Sequence, residues 1–250
     1  MSLNIYELMM ALIILIITLI SGIIPFIKRM NNPLGFSFPI GEALANGVFL
    51  GAGLIHMLGD SASDFNELHI DYPYPFLIAG ATILFFLLIE HIGVSASKSS
   101  KTSSNTLAII TTIMLSIHSF FAGAALGIST SSAIAWVIFL AIIAHKWAAS
   151  FALSLTINKA KLKFNLRIVL FILFSLMAPL GVLFGQGAQL YFTNPLVQPI
   201  FTAIAAGTFI YMGTLHGLER SVMVNECCNT KEYSFVIIGF TVMAIVAIWT

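Results

Sequence analysis

Two histidines interrupt long apolar stretches of this sequence. His118 lies within IHSFFAGAALG, and His145 lies within AHKWAASFALS, directly before Lys146. A charge at the centre of a bilayer costs about 2.5 to 3.5 kcal/mol on insertion scales, so ionisable groups in such stretches are functional candidates. Neutral imidazole binds zinc and related divalent ions and stays uncharged when the ion leaves. The pair therefore predicts a site for a divalent metal ion.

The spacing of the two histidines favours one shared site. A short polar turn near Ser131 separates the two stretches, with His118 thirteen residues before it and His145 fourteen residues after it. At a rise of about 1.5 Å per residue, two antiparallel helices would hold both rings at nearly the same depth. Either histidine alone is more simply interpreted as a hydrogen-bonded core residue. The matched pair favours a common metal ion.

The chain that holds these residues is dominated by apolar side chains. Hydrophobic residues make up 59% of it and charged residues 8%, whereas soluble domains are roughly a quarter charged. Apolar segments about 20 residues long, the length that spans a bilayer, recur from end to end. They predict an all-α integral membrane protein in which residues 1–250 form one domain of eight transmembrane helices. The predicted spans are approximately 7–27, 41–59, 75–93, 106–128, 133–157, 167–189, 198–218 and 233–249.

The basic residues predict an orientation for these helices. Apart from Lys146, every Lys and Arg falls in alternate connections, and such residues are retained on the cytoplasmic side. Both termini and the acidic connection 59–74 are then extracellular or lumenal, and 94–105 is a short cytoplasmic loop between spans 3 and 4. We expect the plasma membrane or an organelle membrane as the location. The net charge of +1, without a dense basic block, argues against a nucleic-acid partner.

The second and seventh predicted spans resemble each other. Residues 43–58 read ALANGVFLGAGLIHML and residues 203–218 read AIAAGTFIYMGTLHGL. Because five spans separate them, the two segments run antiparallel, which predicts an inverted repeat of the kind that recurs in secondary transporters. Chance similarity between two Gly/Ala-rich helices is the alternative. The matching pairs include Gly47/Gly207, Phe49/Phe209, Gly53/Gly213 and His56/His216.

The paired segments HSFFAG and HKWAAS closely resemble the signature of the ZIP (zinc/iron-regulated transporter-like) family. GVFLGAGLIHML, LLIEHI, SLMAPLG and AAGTFIY resemble further ZIP segments, in order and spacing. The resemblance implies an eight-helix fold that takes up Zn²⁺, with Cd²⁺, Fe²⁺ or Mn²⁺ as other candidates, toward the cytoplasm. It implies alternating access by rigid-body motion of one helix group against another. The ion is then a transported substrate rather than a cofactor, and homodimerisation remains open.

The resemblance also implies roles for individual residues. His118 and His145 correspond to the central metal ligands, and Ser119 corresponds to an auxiliary ligand. Lys146 corresponds to the lysine of the HK-type branch, which has a mononuclear site. From its position deep in an apolar stretch, we expect Lys146 to act as a positive charge beside the metal, rather than to extend toward an interface.

Three positions depart from the family pattern. Ala122, four residues after His118 and on the same helical face, stands where the family usually has Glu or Asp. Ala149, four residues after His145, likewise offers no carboxylate. Phe49 stands where some members have a liganding methionine. The predicted site therefore has few protein ligands, and water is expected to complete the shell, as in zinc sites that keep open positions.

Polar residues at the ends of the predicted spans suggest a path for the ion. His56 and Asp60 are one helical turn apart at the predicted outer mouth and would capture an ion there; ordinary headgroup-level polarity is the alternative. A second set clusters at the predicted cytoplasmic ends of spans 2, 3 and 7 and would form a release path. This set comprises Glu42, Glu90, His91, His216 and Glu219.

Two other classes of function remain open from the sequence. A transporter-like sensor or regulator that binds metal without carrying it is suggested by the missing carboxylate at Ala122. A membrane metalloprotease would need a general acid or base beside the metal, and no HExxH motif or comparable Glu adjoins either histidine. A passive channel is also compatible with the sequence. We therefore expect a transporter rather than an enzyme.

Overall fold

The structure is a computed structural model that describes residues 5–31, 38–96, 100–129, 131–189, 191, 194–216 and 230–249. Within these ranges the regular elements are all helical. They are α1 (Ile5–Asn31), α2 (Pro39–Gly51), a π-helical segment (Ala52–Met57), α3 (Leu58–Glu67), α4 (Tyr74–Ala96), α5 (Ser100–Gly127), α6 (Ser132–Lys159), α7 (Phe164–Gln189), α8 (Val197–Tyr211), a second π-helical segment (Met212–His216) and α9 (Thr230–Val246).

Six helical stretches in the described residues are long and apolar enough to cross a membrane. They are Ile5–Arg29, Pro39–Glu67, Tyr74–Ala96, Ser104–Gly127, Ser132–Lys159 and Phe164–Gln189. Helices α8 and α9 occupy the predicted seventh and eighth spans but are shorter as described. The all-helical membrane architecture is thus as expected, and the count of eight spans stays a prediction.

The second helical stretch extends beyond its predicted end at residue 59. Helix α2, the first π-helical segment and α3 follow one another without a break as far as Glu67. Asp60, Asp64 and Glu67 therefore lie on a helix rather than in a loop. No proline interrupts residues 59–67, and the helix ends just before His69, whose φ of 56° is left-handed.

The predicted connection 94–105 is also more helical than expected. Helix α4 continues to Ala96 and α5 begins at Ser100. Residues 94–105 contain neither glycine nor proline, the two residues that oppose helix formation most strongly. Its cytoplasmic location stays a prediction.

Four helices, α1, α5, α6 and α7, form what we call the first helix group. Within it α5 packs along α7, and α1 packs along α6. A Cβ atom at Gly123 would lie 2.3 Å from the Ala178 carbonyl oxygen, and one at Gly181 would lie 2.2 Å from the Phe120 carbonyl oxygen. Glycine is required at such contacts because only a missing side chain lets two helix backbones approach so closely.

The remaining helices, α2, α3, α4, α8 and α9, form the second helix group, in which α2 packs along α9 and α4 packs along α8. The two helix groups meet mainly where α5 crosses α8 and where α2 crosses α6. Each group therefore contributes two helices to the main contacts between the groups. Both predicted metal ligands, on α5 and α6, lie in the first group.

The two segments that resemble each other in sequence also contact each other. A Cβ atom at Gly53 would lie 3.2 Å from the Ala206 carbonyl oxygen, and one at Gly213 would lie 3.1 Å from the Asn46 carbonyl oxygen. The two contacts are equivalent in the sequence match. Gly53 and Gly213 are 160 residues apart, and so are their partners Asn46 and Ala206. Each segment also contains a π-helical turn, Ala52–Met57 in one and Met212–His216 in the other. Such turns are often found at functional sites.

Candidate functional site

The rings of His118 and His145 lie next to each other in the protein interior. Their centroids are 5.6 Å apart, their planes meet at 72°, and each side chain is only 1% exposed. Helices α5 and α6 are joined by a tight connection, and the Ser131 hydroxyl accepts a hydrogen bond from the Ile134 N–H at the start of α6. This short, capped connection holds the two histidines at matching depth.

Each of these histidines presents a nitrogen that lacks a well-formed hydrogen bond to any described residue. On His118 the nitrogen is Nε2, and on His145 it is Nδ1, although the Ala141 carbonyl one helical turn earlier is close enough to His145 to interact with the ring. A buried polar atom without a partner costs about 1 to 3 kcal/mol, so a pair of them in one place indicates a site for a ligand. Imidazole nitrogens with available lone pairs are suited to zinc and related ions.

Helix α8 of the second helix group supports the His118 ring. The Nδ1 atom of His118 lies 2.7 Å from the Thr208 hydroxyl oxygen and 3.1 Å from the Ala205 carbonyl oxygen. Phe209 stacks on the His118 ring with a centroid distance of 3.5 Å and meets the His145 ring edge to face at 4.8 Å. The two histidines are thus held between helices α5 and α6 on one side and α8 on the other.

Ser119 and Lys146 contact each other beside the histidine pair. The Lys146 ammonium donates a hydrogen bond of 2.7 Å to the Ser119 hydroxyl oxygen and lies 4.4 Å from the centre of the Phe174 ring. Lys146 is only 2% exposed, so the aromatic face and the hydroxyl together replace its solvation. Because Lys146 already donates a hydrogen bond to the Ser119 oxygen, that oxygen is a weaker candidate ligand than either imidazole.

The three positions that depart from the family pattern have different surroundings. Ala122 lines the cavity that reaches His145, so a carboxylate there would face the path of an ion. Ala149 is completely buried in the apolar core. Phe49 is also buried and packs on Phe209, with ring centroids 4.9 Å apart. Phe49 therefore contacts the aromatic support of His118.

A cavity of about 560 Å³ connects His145 to one end of the molecule. Its outer part is lined by acidic side chains on α3, and Ala122, Ala205 and His145 line its inner part. His56 lies in the wall between them, where its Nδ1 atom is 2.8 Å from an Asp60 carboxylate oxygen. An acidic mouth of this kind raises the local concentration of cations. The acidic residues at the mouth are Asp60, Asp64 and Glu67.

The predicted release residues are brought together only in part. Glu90 and His216 meet, with 3.0 Å between a carboxylate oxygen and Nδ1 of the imidazole. The Tyr211 hydroxyl donates to the same carboxylate, and Nε2 of His216 lies 2.8 Å from the Thr111 hydroxyl oxygen on α5. The result is a buried polar network that joins α4, α8 and α5.

The other three predicted release residues lie outside this network. Glu42 forms an ion pair with Lys159 at the end of α6. His91 is exposed. Glu219 lies outside the described residues.

Several residues around the site were not predicted from the sequence. Phe209 had a signal, since it is the repeat partner of Phe49. No sequence signal marked Thr208 or Thr111. Thr208 contacts His118, 90 residues away in sequence, and Thr111 contacts His216, 105 residues away. In the described part of the chain no three His, Cys, Asp or Glu side chains converge closely enough to hold a metal by themselves. The histidine pair therefore needs water or other donors to complete a coordination shell.

Comparisons with known proteins place the chain in a family. The family model described as "ZIP Zinc transporter" matches residues 93–247. The chain is 26% identical to zinc transporter ZIP2 of Mus musculus, with 95% of this chain and 96% of the relative covered. It is 27% identical to zinc transporter 1 of Oryza sativa subsp. japonica, with 95% and 81% covered.

A third relative is much longer than this chain. Protein zntD of Dictyostelium discoideum is 35% identical over 158 residues, which is 60% of this chain and 22% of zntD. The region that the family model matches, residues 93–247, includes all of α5 and α6 and therefore both histidines. The family match covers more than half of the chain, and it includes the helices that form the site. This chain belongs to the ZIP zinc transporter family.

Proposed function

We propose that this protein carries Zn²⁺ across a membrane toward the cytoplasm by alternating access through a site at His118 and His145. The observation that carries the proposal is that the His118 ring lies beside His145, which lines the inner part of a cavity with an acidic mouth. An ion is captured at His56 and Asp60, held between the two central imidazoles, and released past Glu90. Each stage offers nitrogen or oxygen donors that zinc accepts.

The proposed direction rests on the orientation of the helices. The cavity opens among the ends of α3, α5, α6 and α8, which are the ends that the distribution of Lys and Arg assigns to the outside or lumen. On the opposite side, the His216–Thr111 hydrogen bond and the Glu42–Lys159 ion pair connect the two helix groups. We therefore take this conformation as the outward-open one, in which contacts among the described residues hold the two groups together at the predicted cytoplasmic end.

Alternation between two conformations is supported by the reciprocal packing of the helices. In the proposed inverted repeat, α2 corresponds to α8 and α4 corresponds to α9. The contact between α2 and α9 then corresponds to the contact between α8 and α4. Both pairs are present, as are the exchanged contacts at Gly53 and Gly213. A molecule built from two inverted halves has a second conformation in which their arrangements are swapped. We infer that the first helix group moves as a rigid body against the second.

The donor set also leads to an expected selectivity. Imidazole without a carboxylate favours Zn²⁺ and Cd²⁺ over harder ions such as Mn²⁺, which prefer oxygen ligands. Ala122 supplies no carboxylate at the cavity wall, and Ala149, four residues after His145, supplies none either. Fe²⁺ lies between these groups. We therefore expect uptake to follow the order Zn²⁺ and Cd²⁺, then Fe²⁺, then Mn²⁺.

The test is ion uptake into proteoliposomes that contain a metal-sensitive dye. The wild-type protein is expected to take up Zn²⁺ and Cd²⁺, whereas His118→Ala and His145→Ala should each reduce the rate to that of protein-free vesicles. The matched control is His69→Asn, which changes an exposed histidine at the end of α3 and should leave the rate unchanged. Normal uptake by both alanine variants, or equal uptake of Mn²⁺ and Zn²⁺, would contradict the proposal.

A metal sensor that binds without transport is the second candidate. It is favoured by one observation, namely that Ala122 faces the cavity where a carboxylate would complete the site. The two functions differ in a direct way. A sensor would bind Zn²⁺ in detergent, lose that binding in His118→Ala, and yet show no uptake into vesicles even for the wild-type protein.

A further inference from the structure

We propose that Thr208 is a positioning residue that sets the proton arrangement of His118 for metal binding, and that it does so from the opposite helix group. Thr208 is completely buried on α8, and its hydroxyl oxygen is 2.7 Å from Nδ1 of His118 on α5. This inference rests on the proposed transport function only for its last step. Its first step concerns metal binding alone.

The proton arrangement follows from counting donors. A threonine hydroxyl has one hydrogen to donate, and that of Thr208 is donated to the Ala205 carbonyl oxygen. Toward His118 the Thr208 oxygen is therefore an acceptor, and so is the Ala205 carbonyl oxygen at 3.1 Å. Two acceptors facing Nδ1 require that Nδ1 carries the proton and donates it to both.

The remaining nitrogen of His118 is then available for an ion. A neutral imidazole with its proton on Nδ1 has a lone pair on Nε2, and Nε2 has no hydrogen-bond partner among the described residues. Phe209, next to Thr208 on the same helix, stacks on the ring at 3.5 Å and restricts its rotation. Helix α8 thus selects both the tautomer and the orientation that aim a lone pair into the site.

The position of Thr208 makes this support dependent on conformation. His118 belongs to the first helix group, and Thr208, Ala205 and Phe209 belong to the second. If the groups shift against each other during transport, His118 leaves these partners while remaining beside His145 on its own group. The affinity for Zn²⁺ should then be higher in the outward-open conformation than after the shift, which favours capture on one side and release on the other.

The expected size of the effect follows from other metal sites. Removal of the group that fixes the second nitrogen of a liganding histidine typically lowers metal affinity about 10- to 100-fold. Thr208→Val keeps the volume and shape of the side chain but removes the acceptor oxygen. Because the Ala205 carbonyl oxygen still faces Nδ1, we expect a loss of Zn²⁺ affinity near the lower end of that range, about 10-fold. Thr208→Ser keeps the hydroxyl and should bind Zn²⁺ nearly as tightly as the wild type.

The experiment measures Zn²⁺ binding to purified full-length protein in detergent by competition with a fluorescent chelator. The matched control is Thr112→Val, which makes the same substitution at a buried threonine of α5 whose hydroxyl donates to the Ala108 carbonyl oxygen. Nitrogen-15 NMR of histidine-labelled protein provides the second measurement, with the His118 signals assigned by their loss in His118→Ala. The wild type and Thr208→Ser should show a protonated Nδ1, and Thr208→Val should show a mixture of tautomers.

The outcomes separate this inference from the transport proposal. A 10-fold loss of affinity in Thr208→Val, rescued by Thr208→Ser and absent in Thr112→Val, would support it even if the wild type failed to transport. Unchanged affinity in Thr208→Val would overturn it even if the wild type transported Zn²⁺ normally. An equal loss in Thr208→Ser and Thr208→Val would also overturn it, since packing rather than the hydroxyl would then be responsible.

Discussion

His56 and His216 occupy matching positions in the two similar segments, yet their partners differ. His56 pairs with Asp60 on its own helical stretch, beside an open cavity. His216 pairs with Glu90 on α4 and with Thr111 on α5, in the other helix group. An incoming ion would therefore reach the outer histidine without a change in the packing of the helices, whereas the inner histidine helps to hold the two groups together.

This difference in partners would favour one conformation over the other, even if the two similar segments belong to an inverted repeat. If the two halves were related by an exact repeat, neither end of the path would be favoured. The polar contacts between helix groups that we identify near the ends of the path, His216–Thr111 and Glu42–Lys159, lie at the predicted cytoplasmic end. Because a hydrogen bond contributes about 0.5 to 1.5 kcal/mol net, two such contacts are enough to bias a two-state equilibrium severalfold.

Of the substitutions at the two ends of the path, the largest effect is expected from replacing the inner histidine. His216→Ala leaves the Glu90 carboxylate, 13% exposed, with one donor fewer, and it leaves Thr111 without its imidazole partner. Loss of a buried partner costs about 1 to 3 kcal/mol, so we expect both a lower melting temperature in detergent and a maximal uptake rate reduced about 10-fold or more. Scanning fluorimetry and the proteoliposome assay measure the two quantities.

The outer histidine provides the comparison for that result. His56→Ala leaves Asp60 with 40% of its side chain exposed to solvent, so no buried carboxylate loses its solvation. We expect a higher KM for Zn²⁺ with little change in the maximal rate, because capture is weakened and the inner contacts are intact. Identical kinetic changes in His56→Ala and His216→Ala would show that the two ends do not differ in the proposed way.

An intermediate effect is expected from Thr111→Val. This substitution removes the hydrogen bond between the helix groups but keeps the His216–Glu90 pair. A loss of about 0.5 to 1.5 kcal/mol would reduce the outward-open population relative to the other conformation by about 2- to 10-fold. The measurement is the rate at which a membrane-impermeant thiol reagent labels a cysteine placed at Ile142, which lines the outer cavity.

The labelling experiment needs two controls. The native Cys227 and Cys228 are first changed to serine so that only the introduced cysteine reacts. Thr112→Val provides the matched background, since Thr112 is the neighbouring buried threonine and donates within its own helix. A labelling rate in Thr111→Val equal to that in Thr112→Val would show that the inner hydrogen bond does not favour the outward-open conformation.

The sequence predicts best what depends on local pattern. The apolar segments predict the helices, and the thirteen- and fourteen-residue distances from Ser131 predict two histidines at one depth, because helical rise converts residue number directly into length. The same reasoning underestimates α3, since acidic residues after a hydrophobic segment indicate a loop by composition although nothing there ends a helix. Composition indicates whether a segment is exposed to water, whereas the end of a helix depends on residues such as proline that interrupt its backbone hydrogen bonds.

The partners of the site residues could not be predicted in this way. Thr208 contacts His118 across 90 residues of sequence, and Lys146 contacts Ser119 across 27. These contacts depend on how α8 crosses α5 and on the rotation of each helix about its axis. Phe209 is the intermediate case: its match to Phe49 marks it as notable, but only the packing of α8 reveals that it stacks on His118.

The smallest effect is expected at the acidic mouth. Asp64→Asn and Glu67→Gln each remove one negative charge from the cavity wall without altering the histidines. Such charges attract cations over a distance limited by the Debye length, about 10 Å at 0.1 M salt and 3 Å at 1 M. We expect initial uptake at low Zn²⁺ concentration to fall about two- to threefold at low ionic strength.

The matched control is Glu232→Gln, which removes a carboxylate on α9 that does not line the cavity. The decisive feature is salt dependence: a defect that persists at high salt would mean that these carboxylates bind the ion directly, and the outer end would then resemble the inner one more closely than the comparison of His56 with His216 implies.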